Sequence, residues 1–485
     1  MRTRTSALAA LALLNVFTLA AGITVARMLP SRLALLRVPV TASRPVVNAT
    51  QVLKPAGTSA TKTQATALPA ASSLAAMLGA ALPASVTGTG VGIEVAAATT
   101  GQVLYSANSS TPAAPASTAK LVTAAAALSV LGPGTRFSTT VRQAGDMVVL
   151  AGGGDPTLAV NEYPSSDYPR PATLAQLAAG TARALKAQGR HSVRLGYDTS
   201  LYSGPDIAQG WTDSDIYTGN VTSIVALEAD QGRLTTAGAL EDADDPLNYL
   251  PRTTDPAPAT AAAFAGLLEG DGITVAGAPS QTVAPATARL LSSVSSPTVA
   301  AMAEQMLQES NNVIAENLAR HVAIALGLPA TFSGAAQADM TVLRRLGINA
   351  PIKLVDGSGL SPDDAIAPET LVRVLEVAAS TPSLRSVITG LPVAGFSGTL
   401  SAGGSVFGAI GDAAGGTARG VVRAKTGNLT TVASLAGLVY DRTGRLLLFA
   451  IMAPRVPGAG QLQQAADAIN AAAAGLATCG CDGVS

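Results

Sequence analysis

Histidine and cysteine are nearly missing from this 485-residue chain, with two of each, and that scarcity removes most metal chemistry at the outset. No His-Glu-x-x-His pair and no Cys-x-x-Cys ladder occurs, so neither a zinc-hydrolase helix nor a zinc ribbon is written in the sequence. His191 and His321 lie far apart and read as surface or packed histidines, not as ligands. Net charge is lacking too. Thirty-one basic residues balance 31 acidic ones, which leaves no electrostatic reason to expect nucleic acid as a partner. The acidic run Glu241-Asp242-Ala243-Asp244-Asp245 has neither the alternation nor the glycine of a calcium loop and reads as a solvated turn. Aromatic residues are 3% of the chain, with one Trp, against 48% hydrophobic residues overall. The cores are therefore aliphatic, in a chain long enough for about two to four domains.

What is present begins with an export pattern. Met1-Arg2-Thr3-Arg4 supplies positive charge and no charged residue follows from Thr5 to Ala26, as in a signal peptide or an N-terminal membrane anchor over 1–26. The stretch is long for a cleaved segment and has no clean Ala-x-Ala site before Arg27, so both readings stand. The bulk of the chain is expected outside the cytoplasmic membrane, although Arg27, Arg32 and Arg37 complicate the orientation. Residues 27–72, rich in Pro, Thr, Ala and Ser, read as a linker. The body beyond the linker is expected as a first segment, 73–135, a middle region, 136–285, a second segment, 286–477, and a tail, 478–485. Cys479 and Cys481 in that tail suit a disulfide of an exported protein. Within the middle region, Asp155, Asp198 and Trp211 read as turn-forming and packing residues.

Three short motifs carry chemistry. Ser117-Thr118-Ala119-Lys120 opens an Ala/Leu-rich helix that runs to Gly132. At i and i+3 the Lys120 amine can reach the Ser117 hydroxyl and, if buried and neutral, take its proton. Backbone N–H groups at the start of that helix are available to an oxyanion. Ser59-Ala60-Thr61-Lys62 repeats the spacing inside the linker, where its lysine would be solvated. Ser310-Asn311-Asn312 falls in a helical stretch from about 298 to 326. Residues at i and i+2 do not share a helix face, so a common cleft requires the helix to break there. A second Ser-x-Asn, Ser106-Ala107-Asn108, precedes Ser117 at a strand end and is set aside. Lys425-Thr426-Gly427-Asn428 ends one strand and is followed by strands at about 432–440 and 446–452, while Val91–Val95 and Gln102–Tyr105 form a hairpin ahead of Ser117. A lysine and a threonine on an edge strand, beside a glycine that admits another chain, suit capture of a carboxylate.

The ordered set of Ser117 and Lys120, Ser310 and Asn312, and Lys425, Thr426 and Gly427 resembles that of penicillin-binding proteins and serine β-lactamases. The long separation between the first two motifs narrows the likeness to the class C low-molecular-mass penicillin-binding proteins, the penicillin-binding protein 4-like D-alanyl-D-alanine carboxypeptidase/endopeptidases. Gly154-Asp155-Pro156-Thr157, Asp356-Gly357-Ser358-Gly359-Leu360-Ser361 and Gly398-Thr399-Leu400 look like the same family, while Asn428 stands where the family usually has threonine. The resemblance implies an α+β fold in which a five-stranded antiparallel sheet flanked by helices is split by the middle region as an insert. It implies Ser117 as nucleophile, Lys120 as its base, Ser310 and Lys425 as proton relay, and Asn312 as a holder of Lys120 and of the substrate amide. Thr426, Gly427 and Asn428 would bind substrate, with no metal or organic cofactor. Peptidoglycan stem peptides are the implied substrate and β-lactam antibiotics the implied acylating inhibitors. A β-lactamase or esterase on the same fold, for which Asp244-x-x-Leu247-Asn248 is a weak base motif, and a non-catalytic cell-wall-binding protein are the competing readings.

Overall fold

The computed structural model describes residues 68–162, 168–234 and 250–479, all within one compact unit, Thr66–Ser485. The export segment, nearly all of the linker, Ser59 to Lys62, the acidic run, Asp244 to Asn248 and Cys481 lie outside the described residues. Among those residues no helix is long and apolar enough to cross a membrane. Cys479 is disulfide-bonded.

The five-stranded sheet is built from both ends of the chain. β1 (Gly92–Ala97) and β2 (Val103–Ala107) come from the N-terminal part, and β11 (Val422–Leu429), β12 (Val432–Tyr440) and β13 (Leu446–Ala453) from the C-terminal part. They align as β11-β12-β13-β1-β2, all antiparallel. β13, at the centre, is one continuous apolar run because it is covered on both faces. Leu448, Ala450 and Met452 face one layer, while Leu447, Phe449 and Ile451 face the other. The first layer contains α2 (Lys120–Val130), α5 (Val299–Glu309), α6 (Asn312–Ala325), α7 (Phe332–Arg345) and α8 (Pro368–Ser380). The second contains α1 (Ala71–Ala81) and α9 (Leu462–Thr478). Every residue of α2 from Lys120 to Leu128 is buried. A helix apolar all round is a central core helix, and Lys120 lies in its first turn.

The inserted region has its own sheet and core. β3 (Ser138–Ala144), β4 (Met147–Ala151), β5 (Ser192–Asp198), β6 (Thr274–Val275), β7 (Ser280–Gln281) and β8 (Arg289–Ser295) are ordered β6-β5-β4-β3-β8, with β7 paired to β5. α3 (Leu174–Lys186) and α4 (Pro256–Gly270) pack on it around Leu150, Leu177 and Phe264. Its edge differs from the expected boundary at 285, since β8 pairs antiparallel with β3 through Ser295. β8 is half-exposed and serine-rich, so it lacks the apolar alternation that would have marked it as a strand of the insert. A short pair, β9 (Ile352–Lys353) with β10 (Ala365–Ile366), frames the loop carrying Asp356 to Ser361.

Phe449 is fully buried on the central strand. Phe449→Ala is predicted to cost about 3–5 kcal/mol, read as a lowered midpoint in urea unfolding.

Candidate active site

The serine-bearing turn is tighter than an α-helix. Ala116–Ala119 is a 3-10 turn that runs directly into α2, and at three residues per turn the side chains at i and i+3 eclipse. Ser117 Oγ and Lys120 Nζ are consequently 2.8 Å apart. The chain enters the turn through Ala116 at φ 48°, a left-handed conformation costing a non-glycine residue about 1–2 kcal/mol. Tertiary contacts hold it there. Thr118 Oγ1 and Ser434 Oγ both donate to the Pro115 carbonyl, at 2.7 and 2.6 Å. Gly359, at φ 78°, packs so closely that a Cβ there would lie 2.0 Å from the Ala116 carbonyl oxygen.

The helical stretch breaks where the second motif requires. α5 ends at Glu309, Ser310 takes left-handed φ 58°, and Asn311 is extended and caps α6 through its side chain, so Asn312 begins the new helix. Both motif side chains now reach one cleft. Ser310 Oγ lies 2.8 Å from Lys425 Nζ, and Asn312 Oδ1 lies 2.6 Å from Lys120 Nζ. The amide nitrogen of Asn312 donates to the Asn220 carbonyl at 2.9 Å, so the insert also touches the site.

The third motif lies on β11, the edge strand. Ala424 N–H donates to the Pro392 carbonyl, away from β12, and by the period of two the N–H groups of Thr426 and Asn428 point off the same edge. Gly427 lets that edge meet the serine turn: a Cβ at this position would lie 2.3 Å from Ser434 Oγ and 2.7 Å from the Pro115 oxygen. Thr426 Oγ1 is hydrogen-bonded to Thr399 Oγ1 at 2.8 Å. The Asn428 side chain is exposed beside the cleft.

Lys120 is fully buried and is held by three chain segments. Besides Ser117 and Asn312 it reaches the Ser358 carbonyl at 2.8 Å. Burial pushes its ammonium down to about 7, against the opposing pull of Asp356, Glu316 and Asp364. A neutral amine has two N–H bonds and one lone pair. The Asn312 and Ser358 oxygens accept both N–H bonds, which leaves the lone pair for the Ser117 hydroxyl. Burial, and then Lys120 beside it, hold the Lys425 ammonium well below the usual lysine range.

These groups line a cavity of about 350 Å³ with Ser117, Ser310, Asn312, Thr426 and Asn428 on its walls. Asp215 and Asn220 of the insert, and Thr399 and Ser405, also line it. Sequence reasoning gave none of them a role, although Thr399 stood in a family-like stretch, because short polar loops have no periodicity to betray a shared wall. It also missed Ser358, which acts through a backbone carbonyl that any residue would supply. Trp211, expected to pack, does pack against Phe332 but also donates Nε1–H to Asp356 Oδ2 at 2.8 Å. Ser106 is on β2, at the opposite edge of the sheet from β11. His191 is exposed, and His321 stacks on Phe137 at 3.5 Å between centroids. Among the described residues no cluster suits a metal ion.

A two-ended antiparallel sheet, helices on both faces, a large insert and a serine with two buried lysines at the sheet edge together define the penicillin-binding/β-lactamase-like fold. The chain belongs to the D-Ala-D-Ala carboxypeptidase 3 (S13) family, whose sequence model matches residues 72–237 and 220–476. It is 38% identical over 392 residues to carboxypeptidase DacB of Mycolicibacterium smegmatis, covering 79% of each chain. A carboxypeptidase of Mycobacterium tuberculosis is 36% identical over 397 residues, again with 79% of each covered. Penicillin binding protein 4 of Haemophilus influenzae shares the fold, with a TM-score of 0.65 at 23% identity over 81% of this chain and 97% of that one.

Gly427→Ala is predicted to wedge β11 from the serine turn and lower stability by about 1–3 kcal/mol. Adding Ser434→Ala removes the tighter of the two clashes but also the Ser434 hydrogen bond to the Pro115 carbonyl, so thermal unfolding of the double variant should show no net recovery over Gly427→Ala, and full recovery would contradict the role given to that hydrogen bond.

Proposed function

We propose that the chain is a serine-type D-alanyl-D-alanine carboxypeptidase acting on peptidoglycan stem peptides through an acyl-enzyme on Ser117. The observation that carries this reading is the buried Lys120 amine, 2.8 Å from Ser117 Oγ, with both its N–H bonds absorbed by the Asn312 and Ser358 oxygens. The family and the carboxypeptidase names of its relatives support the same chemistry.

Ser117 Oγ attacks the carbonyl carbon between two D-alanines as its proton passes to Lys120 Nζ. The backbone N–H groups of Ser117 and Asn428 receive the oxyanion, each donor being worth about 3–4 kcal/mol in comparable sites. Collapse breaks the C–N bond. The departing amine takes a proton from Ser310 Oγ, which is hydrogen-bonded to Lys425 and receives in turn the proton that Lys120 took from Ser117, so Lys120 is neutral again. Thr426, with Lys425 behind it, binds the terminal carboxylate, and Asn312 holds Lys120. Water then attacks the ester, releasing the shortened peptide and restoring Ser117. In a β-lactam the broken amide stays tethered, so the acyl-enzyme persists. The peptidoglycan substrate agrees with an export segment or anchor over 1–26 and a site of action outside the cytoplasmic membrane.

Intact mass spectrometry of the full chain with benzylpenicillin tests the assignment. A lasting one-drug adduct on the wild type, absent from Ser117→Ala together with a loss of at least about 10³-fold in D-alanine release, is expected. Rapid release of the adduct would favour a β-lactamase, and no adduct a binding protein.

The acylation rate should also depend on pH with a known sign. Neutral Lys120 is the active form and its ammonium titrates at about 7. Second-order acylation is therefore predicted to rise about tenfold per pH unit below pH 7 and to level off above it, as measured by adduct formation against time.

A further inference from the structure

Trp211, the single tryptophan of the chain, is contributed by the insert and is buried 9% exposed against the catalytic domain. Its indole N–H ends on Asp356 Oδ2, one layer behind the lysine. Asp356 is fully buried and accepts three further N–H donors. Ser361 N–H lies 2.7 Å from Oδ2, and Ser358 and Gly359 N–H lie 3.1 and 2.7 Å from Oδ1. Four donors on one carboxylate suit an anion and fix the turn around it. That turn aims the Ser358 carbonyl at Lys120 Nζ and brings Gly359 against Ala116, the residue before the nucleophile. A second tie repeats the direction: Ser361 Oγ donates to the Gln209 carbonyl, also in the insert, at 2.8 Å.

We infer that Trp211 is a positioning residue through which the insert sets the catalytic lysine, by way of Asp356 and the Ser358 carbonyl. The inference rests on the assignment of Ser117 and Lys120 above and extends it to a part of the chain outside the three motifs. A purely apolar contact would need no indole donor. Phe332 already supplies an edge-to-face aromatic partner for the ring, at 5.3 Å, so the N–H is the part of Trp211 that acts on the site.

The groups facing Lys120 are Glu316 from α6, Asp356 and Asp364 from the loop between β9 and β10, and Lys425 from β11. α7 adds Asp339, hydrogen-bonded to Thr123 on the next turn of α2. Burial, then Asp356, push Glu316 up, and burial with Asp356 pushes Asp364 up. Among these groups Asp356, with four N–H donors on its oxygens, favours the Lys120 ammonium most strongly. Loss of the indole donor weakens that support and loosens the Ser358 acceptor, and both changes favour the neutral amine.

The test compares full-length wild type and Trp211→Phe for acylation by benzylpenicillin across pH. The variant is expected to lower the limiting acylation rate at least about tenfold, with the half-saturating drug concentration changed less than about twofold, and to move the acid limb to lower pH. A packing defect alone would leave that limb in place. In the wild type, the emission of the sole tryptophan is expected to change with the same rate constant as the adduct seen by mass, and to stay constant in Ser117→Ala. A folded Trp211→Phe with unchanged rate and limb overturns the inference. So does silent emission while the wild-type adduct forms, which keeps the test open should the variant fail to fold. A wild type that forms no adduct overturns the Ser117 assignment itself and this inference with it.

Discussion

A buried amine with no acid paired directly to it is the constraint around which this structure is arranged. Lys120 Nζ has a serine hydroxyl, an amide oxygen and a backbone carbonyl within 2.8 Å. All three are neutral. Carboxylates stand further back, where they moderate the cost of burial without forming an ion pair that would lock the ammonium in place. Burial dominates that balance, because a charge in a low-dielectric interior loses more hydration than distant anions return. A carboxylate in place of the Ser358 carbonyl would have reversed the outcome.

Keeping such an amine buried sets demands on the whole domain. Lys120 must begin a helix enclosed on all sides, so α2 shares one apolar core with α5, α6, α7, α8 and the sheet. Two of its three partners, Asn312 and Ser358, arrive from segments far away in sequence, and the site is closed by local backbone exceptions. Ala116 and Ser310 take left-handed conformations, and Gly427 and Gly359 give up their side chains to close approach. These are costs of about a kcal/mol or two each, stable only because the sheet joining residues 92–107 to 422–453 fixes both ends of the site at once. The insert is part of the same arrangement: it leaves the chain between α2 and α5 and returns a segment whose Asn220 carbonyl meets Asn312 at the cleft and whose Trp211 indole meets Asp356 behind it.

Much of this was legible in the sequence, for identifiable reasons. The spacing of Ser117 and Lys120 announces a shared face, and the i, i+2 spacing of Ser310 and Asn312 demands a broken helix, which the left-handed Ser310 supplies. The runs at 432–440 and 446–452 read as strands, and the structure shows them covered on both faces. The hidden parts share a different trait, in that their function does not reside in side-chain type. Ser358 and Asn220 act through carbonyls, and β8 joins the insert by backbone pairing with little apolar pattern. Trp211 announced its bulk, whereas its N–H mattered only once Asp356 was found behind it. The 3-10 form of the serine turn was likewise invisible, since Ala-Ser-Thr-Ala suits either helix and Ser434 and Thr118, gripping Pro115, decide between them.

The same distinction bears on Asn428, where the chain departs from the usual threonine. A backbone donor is indifferent to the side chain it carries, and the N–H at 428 faces the cleft because of its place on the edge strand. A side-chain contact has no such protection. If a hydroxyl at 428 is absent, polar groups for a carboxylate must come from elsewhere on the wall. Thr426 and Thr399 are already hydrogen-bonded to each other there, and Ser405 lines the same cavity. On the proposed reading the two roles therefore part at this position: the strand's geometry keeps the N–H at 428 for the oxyanion, while Thr426, with Thr399 and Ser405 beside it on the wall, is left to meet the carboxylate.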